Sequence, residues 1–336
     1  MLSLVRPVSH ARPGTPIVSA ESGEKYILVL SEGLRVDTMV DFDLYLKSEQ
    51  NDKFVLYRHK DLPFGAENAE RLKSQKGTQL FIDAADRERY LAYIEQHLPE
   101  ILADGTIARD EKSVLLYESA SSMVSQMFRK PEAPENLRRA GDMVTNVSGF
   151  IIGDKEAFQN LFSIASHDYY TYTHSVNVCT YGLATAASMG IENRDILHDF
   201  GVGALLHDIG KAKISEDIIC KPGSLDTNEW EEVKRHPLYG GELLKVCGGV
   251  SSGSMEVVLG HHEKIDGSGY PEGLSGSEVP MFARLAAVVD VYDALTTVRS
   301  YKNAMNSFDA LMLMGEKMGK QLDRDVYEHF VWLIKE

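Results

Sequence analysis

Cysteine is scarce in this chain: Cys179, Cys220 and Cys247 stand far apart. Three scattered thiols exclude a CxxC zinc site and a disulfide framework, and they fit a reducing, cytoplasmic setting. Long apolar runs are missing too, none reaching the roughly 18 residues a membrane span requires. The opening MLSLVRPVSHARPGTPIVSAESGEKY has no continuous apolar stretch of signal-peptide length, so residues 1–25 read as a flexible lead-in. Membrane insertion is therefore not expected. Positive charge is also short: 35 Lys and Arg face 50 Asp and Glu, a net charge of −15. That balance argues against a nucleic-acid duplex as partner. A phosphorylated small molecule would have to be captured by local cations, either metal ions or a few Lys and Arg.

What is present is globular. With 43% hydrophobic and 25% charged residues, 336 positions suffice for two domains or one large one. From Tyr26 to about Asp83 the segments YILVLS, MVDFDLYLK, KFVLYRH and TQLFID read as strands, with a helix around Glu67 to Ser74. After Asp86 the period changes. Tyr90, Tyr93, Ile94, His97, Leu98 and Ile101 form the stripe of an amphipathic helix. Helical text continues through DEKSVLLYESASSMVSQMF and breaks at the two prolines of RKPEAPEN. From about Glu156 the signals are almost all helical, with N-caps expected at Asn193 and Asp226, the latter in a capping box with Glu229. Ser307 and Asp323 are expected to start the last two helices, and no internal repeat is found. The expected class is α+β overall: a small N-terminal α/β domain (26–105), a helical connector (106–157) and an all-α C-terminal domain (158–336).

Several ionisable residues do not suit a helical core. In FGVGALLHDIGK an apolar run leads into His207 and Asp208, with Lys211 four residues after the histidine. A buried carboxylate must be paired, protonated or bound to metal, so an internal Asp–Lys pair competes with a metal site. Asp290 interrupts the apolar ARLAAVVDVYDALTT, His236 is expected to end a helix that Pro237 stops, and His174 begins another helix. His261 and His262 precede the glycine-rich GSGYPEGL. Singly, each histidine has an ordinary structural reading. Together His174, His207, Asp208, His236, His261, His262 and Asp290 make five imidazoles and two carboxylates on helices of one domain. Seven donors exceed the needs of one tetrahedral zinc and suit a pair of ions. The mixed set fits iron, manganese, zinc, nickel or cobalt better than magnesium.

The ordered blocks YTxxHS (from Tyr170), HDIGK, KPGSL, RHPLYGGELL, HHEKIDGSGYPEGL and DVYDALTTVRSYK resemble the HD-GYP branch of the HD-domain metal-dependent phosphohydrolases. The resemblance covers roughly residues 160–336. It implies an all-helical domain that hydrolyses the bacterial second messenger cyclic di-GMP to linear pGpG, GMP or both. By position, the seven residues above fall on the family's metal-ligand places. Lys211 falls on the lysine of the extended HDxxK motif, and Asp168, Tyr270, Arg299 and Lys302 fall on substrate-contacting places. Some members carry a glutamate four residues before the first histidine that supports a third metal. Tyr170 stands there in this chain, which favours two ions, iron or manganese first, and argues against a third. Ser300 replaces the usual proline, with little effect expected.

Phosphodiester hydrolysis needs a nucleophile at neutral pH and relief of charge on the phosphoryl oxygens, and two metal ions supply both. Asp208 is the expected bridging carboxylate, with His174, His207 and Asp290 on one ion and His236, His261 and His262 on the other. Lys211 is expected to stabilise developing negative charge rather than act as a base. The glycines would let the backbone fold over the cleft and present Tyr270 to substrate. Two other readings stand beside this one: a nucleotide sensor or partner-binding protein with little turnover, its Gly269-Tyr270-Pro271 loop docking another protein, and a phosphohydrolase for a different nucleotide. The same architecture hosts di-iron oxygenases, against which the phosphate-binding cations argue. No chemistry is assigned to the N-terminal part, which is expected to regulate or to dimerise the protein together with the connector helices.

Overall fold

Residues Ile27, Val29, Leu80 and Ile82 are buried alternately with more exposed neighbours, and that period of two builds the N-terminal sheet. The computed structural model describes residues 25–48, 53–74, 79–165, 172–297 and 304–335. The strands are β1 (Tyr26–Val29), β2 (Thr38–Met39), β3 (Leu44–Lys47), β4 (Phe54–Arg58), β5 (Pro63–Phe64) and β6 (Leu80–Asp83). Four of them form an antiparallel sheet in the order β1-β6-β3-β4, while β2 pairs with β5. Helix α1 (Ala66–Ser74) precedes β6 and α2 (Arg87–Ala103) follows it. The expected single strand over MVDFDLYLK is two strands in two sheets. Phe42, between the two strands, turns fully inward instead, meeting Tyr90 and Tyr93 of α2 edge-on at ring-centroid distances of 5.7 and 5.9 Å.

The chain divides into two compact units, the second beginning at Leu116. The division falls inside α3 (Arg109–Arg129). The remaining helices are α4 (Asn136–Ile151), α5 (Lys155–Ala165), α6 (Thr173–Ser188), α7 (Arg194–Leu206), α8 (Glu216–Ile219), α9 (Thr227–Val233), α10 (His236–Cys247), α11 (Ser252–Gly260), α12 (Met281–Thr296), α13 (Ser307–Lys317) and α14 (Arg324–Lys335). The class is α+β. The sequence pattern sets residues 106–157 apart as a connector, yet α4 packs on α6 and α7 and groups with the helical unit. Met143, Val144 and Val147 supply its buried face.

Helix α6 is the centre of that unit. Nearly every residue from Thr173 to Ala186 is buried, and α4, α5, α7, α12 and α14 pack around it. Tyr181, Tyr292 and Phe330 meet in this core, Tyr292 and Phe330 with centroids 4.8 Å apart. Each such ring contributes about 1.5–3 kcal/mol by leaving water, more than a surface ion pair does. Helix starts follow their caps. Asn193 accepts from the N–H groups of Asp195 and Ile196, and Asp226 and Glu229 form the expected capping box. Asn306, one residue before the expected Ser307, caps α13, and Asp323 caps α14. His236 does not end α9 as expected but opens α10. Pro237 then sits in a first turn, where its missing N–H costs nothing. Among the described residues no helix is long and apolar enough to cross a membrane.

Candidate metal centre

Three of the histidines reach the same place by the same local device. The last carbonyls of a helix lack intrahelical partners, and here imidazole Nδ1–H groups satisfy them. His207 bonds Ala204 O at the end of α7 (2.8 Å), His236 bonds Val233 O at the end of α9 (2.7 Å), and His261 bonds Val257 O and Val258 O at the end of α11 (both 3.1 Å). His174, in the first turn of α6, is held differently, its Nδ1 lying 2.6 Å from Asp293 Oδ2. With Nδ1 engaged on an acceptor, each ring turns Nε2 inward, the arrangement an imidazole needs to ligate a cation.

Asp208, just past α7 and 6% exposed, lies between these rings. Its Oδ2 is 3.5 Å from His207 Nε2 and 3.9 Å from His174 Nε2. Its Oδ1 is 3.3 Å from His236 Nε2 and 3.9 Å from His261 Nε2. One carboxylate thus faces two groups of donors with separate oxygens. Asp290, in α12, also faces both ways: Oδ1 is 3.0 Å from His174 Nε2 and Oδ2 is 3.7 Å from His262 Nδ1. The donor atoms fall into two clusters, Asp208–His236–His261–His262 and His174–His207–Asp290, each with all atoms within 4.8 Å of one another. These are the seven residues expected from sequence. His207 Nε2 and Asp208 Oδ1 are buried without a hydrogen bond. Unpaired polar atoms in such a place are costly. A pair of cations fits both the orphaned atoms and the mixed donor set.

The turn after Asp208 brings Lys211 back onto it, Nζ 2.5 Å from Oδ2, so the Asp–Lys pair and the donor cluster coexist. Gly210 permits this turn. A Cβ there would run into the backbone of His236 and Gly240 at the start of α10. Burial opposes the charge on Asp208, but Lys211 and His207 outweigh it and hold the carboxyl below its ordinary range. Asp290 is likewise held down, chiefly by His174 against burial. Burial pulls His236 down to about 3 and His262 down to about 4, and it depresses His261 as well. For His174 burial is overcome by Asp290 and Asp293, which push it up to about 10.

These directions set a pH dependence for the metal-free protein. His236, His261 and His262 stay neutral in the fold but take up protons in the unfolded chain below the ordinary histidine value of about 6.5. The unfolded state then binds more protons, so stability falls as pH drops from about 6.5 towards 4. His174, pushed up to about 10, gains its stability as pH falls to about 6.5 and adds little below it, so it does not offset the loss lower in that window. Urea midpoints of chelated protein should decline steeply over this range, and a flat profile would contradict the burial of neutral imidazoles.

The loop after His262 folds back on it. Tyr270 N–H bonds His262 O at 3.2 Å, and the Tyr270 ring lies over the His262 imidazole with centroids 4.6 Å apart. Gly269 makes the fold-back possible, because a Cβ there would lie 2.6 Å from both Glu263 Cα and His262 O. The tyrosine hydroxyl, lifted in pKa by burial, has no hydrogen-bond partner among the described residues. Trp230 of α9 meets the same ring edge-on at 6.2 Å. Asp168, Tyr170, Arg299 and Lys302 lie outside the described residues.

Sequence reasoning misses two supporting carboxylates. Asp293, 1% exposed, anchors His174. Glu263, 2% exposed, accepts from the N–H groups of Glu272, Gly273 and Leu274 at 2.7, 3.2 and 3.0 Å. Both carry a signal: Asp293 stands in the same apolar run as Asp290, and Glu263 directly follows the histidine pair.

Fold and site together define a helical bundle whose helix ends converge on a His/Asp centre of two donor clusters. Residues 163–326 match the family model described as HD domain. The chain is 37% identical over 221 residues to the cyclic di-GMP phosphodiesterase PA4108 of Pseudomonas aeruginosa, covering 65% of this chain and 53% of that protein. It is 39% identical over 140 residues to the cyclic di-GMP phosphodiesterase response regulator RpfG of Xanthomonas campestris, covering 41% and 36%. A 3′3′-cGAMP-specific phosphodiesterase of Vibrio cholerae is 35% identical over 158 residues, with 47% and 34% covered. The chain therefore spans about half the length of the first of these curated relatives and about a third of the other two. Among solved structures, Bd1817, an HDG"Y"P protein from Bdellovibrio bacteriovorus, shares the fold with a TM-score of 0.65 at 23% identity, over 93% of this chain and all of that one. Residues 163–326 thus carry an HD domain, in accord with the HD-GYP resemblance of their motifs. HD-domain phosphohydrolases depend on metal, and the His/Asp cluster accords with that.

Proposed function

We propose that the protein hydrolyses cyclic di-GMP to linear pGpG, GMP or both, at a centre of two divalent ions. The observation that carries this reading is Asp208, whose two buried oxygens each face a separate pair of inward-turned imidazoles, with Lys211 and the Tyr270 loop alongside. His174, His207 and Asp290 would hold one ion, His236, His261 and His262 the other, and Asp208 both. Iron or manganese is the first choice for this donor set, with zinc, nickel and cobalt also compatible. Tyr170 in place of a glutamate supports two ions rather than three. When bound, such ions lower the pKa of water and neutralise phosphoryl charge.

The chain's own residues orient and screen. Lys211, part-exposed beside Asp208, can turn its ammonium towards a phosphoryl oxygen as charge builds there. Tyr270 offers its hydroxyl to phosphate and its ring edge to a base. By family position Asp168, Arg299 and Lys302 complete the substrate contacts. The sheet unit is assigned to regulation, and dimerisation through it and the neighbouring helices, a cytoplasmic location and a protein partner at the Gly269-Tyr270-Pro271 loop belong to the same reading.

Product analysis of purified, metal-loaded protein incubated with cyclic di-GMP tests it. Linear product should accumulate with iron or manganese. Tight binding without product under every metal would replace hydrolysis by nucleotide sensing, and turnover of a different nucleotide alone would redirect the substrate. Tyr270→Phe should keep its metals and its melting temperature while KM rises about 10- to 100-fold, the loss of one hydrogen bond to a charged group. An unchanged KM would remove the hydroxyl from substrate contact.

A further inference from the structure

His174 is supported by a line of hydrogen bonds that continues away from the metal centre. Its Nδ1 meets Asp293 Oδ2 at 2.6 Å, Asn177 Nδ2 donates to Asp293 Oδ1 at 2.7 Å, and Tyr117 Oη donates to Asn177 Oδ1 at 2.9 Å. Tyr117, Asn177 and Asp293 are 2%, 1% and 1% exposed, so water does not compete for these bonds. Asn177 lies one helical turn after His174 on α6, Asp293 comes from α12 and Tyr117 from α3. Tyr117 stands well before residue 163, where the match to the family model begins.

We propose that Tyr117 and Asn177 are positioning residues for the metal centre, acting through Asp293 on the His174 imidazole. The asparagine sets the direction of the line. Its amide has two faces, one donating and one accepting, and a carboxylate tolerates only the donating face. Tyr117 Oη–H, offered to Asn177 Oδ1, selects the orientation in which Nδ2 points at Asp293. Asp293, anchored on one oxygen, keeps the other for His174 Nδ1–H. That bond fixes the ring plane and leaves Nε2 to face Asp290 and Asp208 at 3.0 and 3.9 Å. Donation runs from Tyr117 through Asn177 to Asp293, which accepts from His174 on its other oxygen, so removing the first donor frees the amide to flip and loosens the carboxylate that anchors the ring. Partners of this kind typically alter metal affinity by about 10- to 100-fold. The centre thus depends on a side chain outside the segment the family model covers. The inference rests on the proposed metal centre but not on the identity of the substrate.

The test is a Mn²⁺ titration of metal-stripped full-length protein, with free Mn²⁺ followed by its electron paramagnetic resonance signal. Wild type is compared with Tyr117→Phe, Asn177→Leu and, as a control, Tyr327→Phe, which removes a tyrosine hydroxyl that bonds Leu311 O instead of this line. The expected result is selective. Tyr117→Phe loses about 10-fold in affinity for one of two ions, with the other ion and the control unchanged. Asn177→Leu should lose more at that same ion. Melting of the metal-stripped proteins separates positioning from simple destabilisation, since Tyr117→Phe and Tyr327→Phe each lose one hydroxyl bond and should melt alike. Wild-type affinity for both ions in Tyr117→Phe, or an equal loss at both ions that tracks a lowered melting temperature, overturns the proposal. If the affinity split appears but no cyclic di-GMP is cleaved, the positioning role stands and the substrate reading falls. A wild type that binds no Mn²⁺ removes both the centre and the role.

Discussion

Asp208→Ala protein should bind neither ion usefully and should show no turnover, while its metal-free form remains folded. The carboxylate stands between two groups of imidazoles, each reached by a different oxygen. Deleting it removes a donor from both clusters at once, so the loss in metal affinity should exceed the ~100-fold upper end for outer partners of a metal ligand. Stability follows a different course. In the metal-free fold Lys211 and His207 favour the buried carboxylate, so its loss costs stability, a cost limited by the burial penalty of a charge whose Oδ1 lacks a hydrogen bond. The part-exposed Lys211 can turn its ammonium to water once its partner is gone. Chemical denaturation of the chelated proteins should therefore agree within about 2 kcal/mol, while elemental analysis and turnover differ completely. Metal loading at wild-type level in Asp208→Ala would exclude the bridging role. A collapse of the metal-free variant would show that the residue serves the fold first.

Glu263→Ala should be the most damaging change in the tyrosine loop. This buried carboxylate gathers three successive backbone N–H groups, fixing the segment from Glu272 to Leu274 beneath the turn that carries Tyr270. An alanine leaves those donors to find water in a part-buried place, a loss of about 3 kcal/mol if each costs near the lower end of its range. Glutamine restores an acceptor and should recover part of it. Because the same segment seats Tyr270 over His262, KM should rise further than in Tyr270→Phe, whose loop remains intact. Denaturation curves and substrate affinity measured on both Glu263 variants check this. Wild-type stability in Glu263→Ala would mean that the loop is held elsewhere.

Much of the helical unit is legible in its residues alone. The helices announce themselves by period and cap, as Asn193 and the Asp226–Glu229 box show. The seven donors stand out because ionisable residues interrupt apolar runs, and the fold brings the same seven together. What stays hidden depends on tertiary neighbours. A histidine before a proline looks like a helix end until α10 is seen to begin at His236. Asp293 shows in sequence only as a second acid in the apolar run of Asp290, and becomes an anchor because α6 delivers His174 to it. The break at Phe42 follows from a pocket between Tyr90 and Tyr93, which lie almost fifty residues further along the chain. Asp168, Arg299 and Lys302, read as substrate contacts, lie outside the described residues, so their role rests on the motif alone.

Anomalous diffraction from crystals of protein purified without oxygen, collected across the iron and manganese edges, addresses the central claim most directly. Two peaks are expected, one among His174, His207 and Asp290 and one among His236, His261 and His262, with Asp208 between them. No peak in ion-loaded crystals, or a peak that engages neither set of imidazoles, would contradict a two-ion centre in this chain.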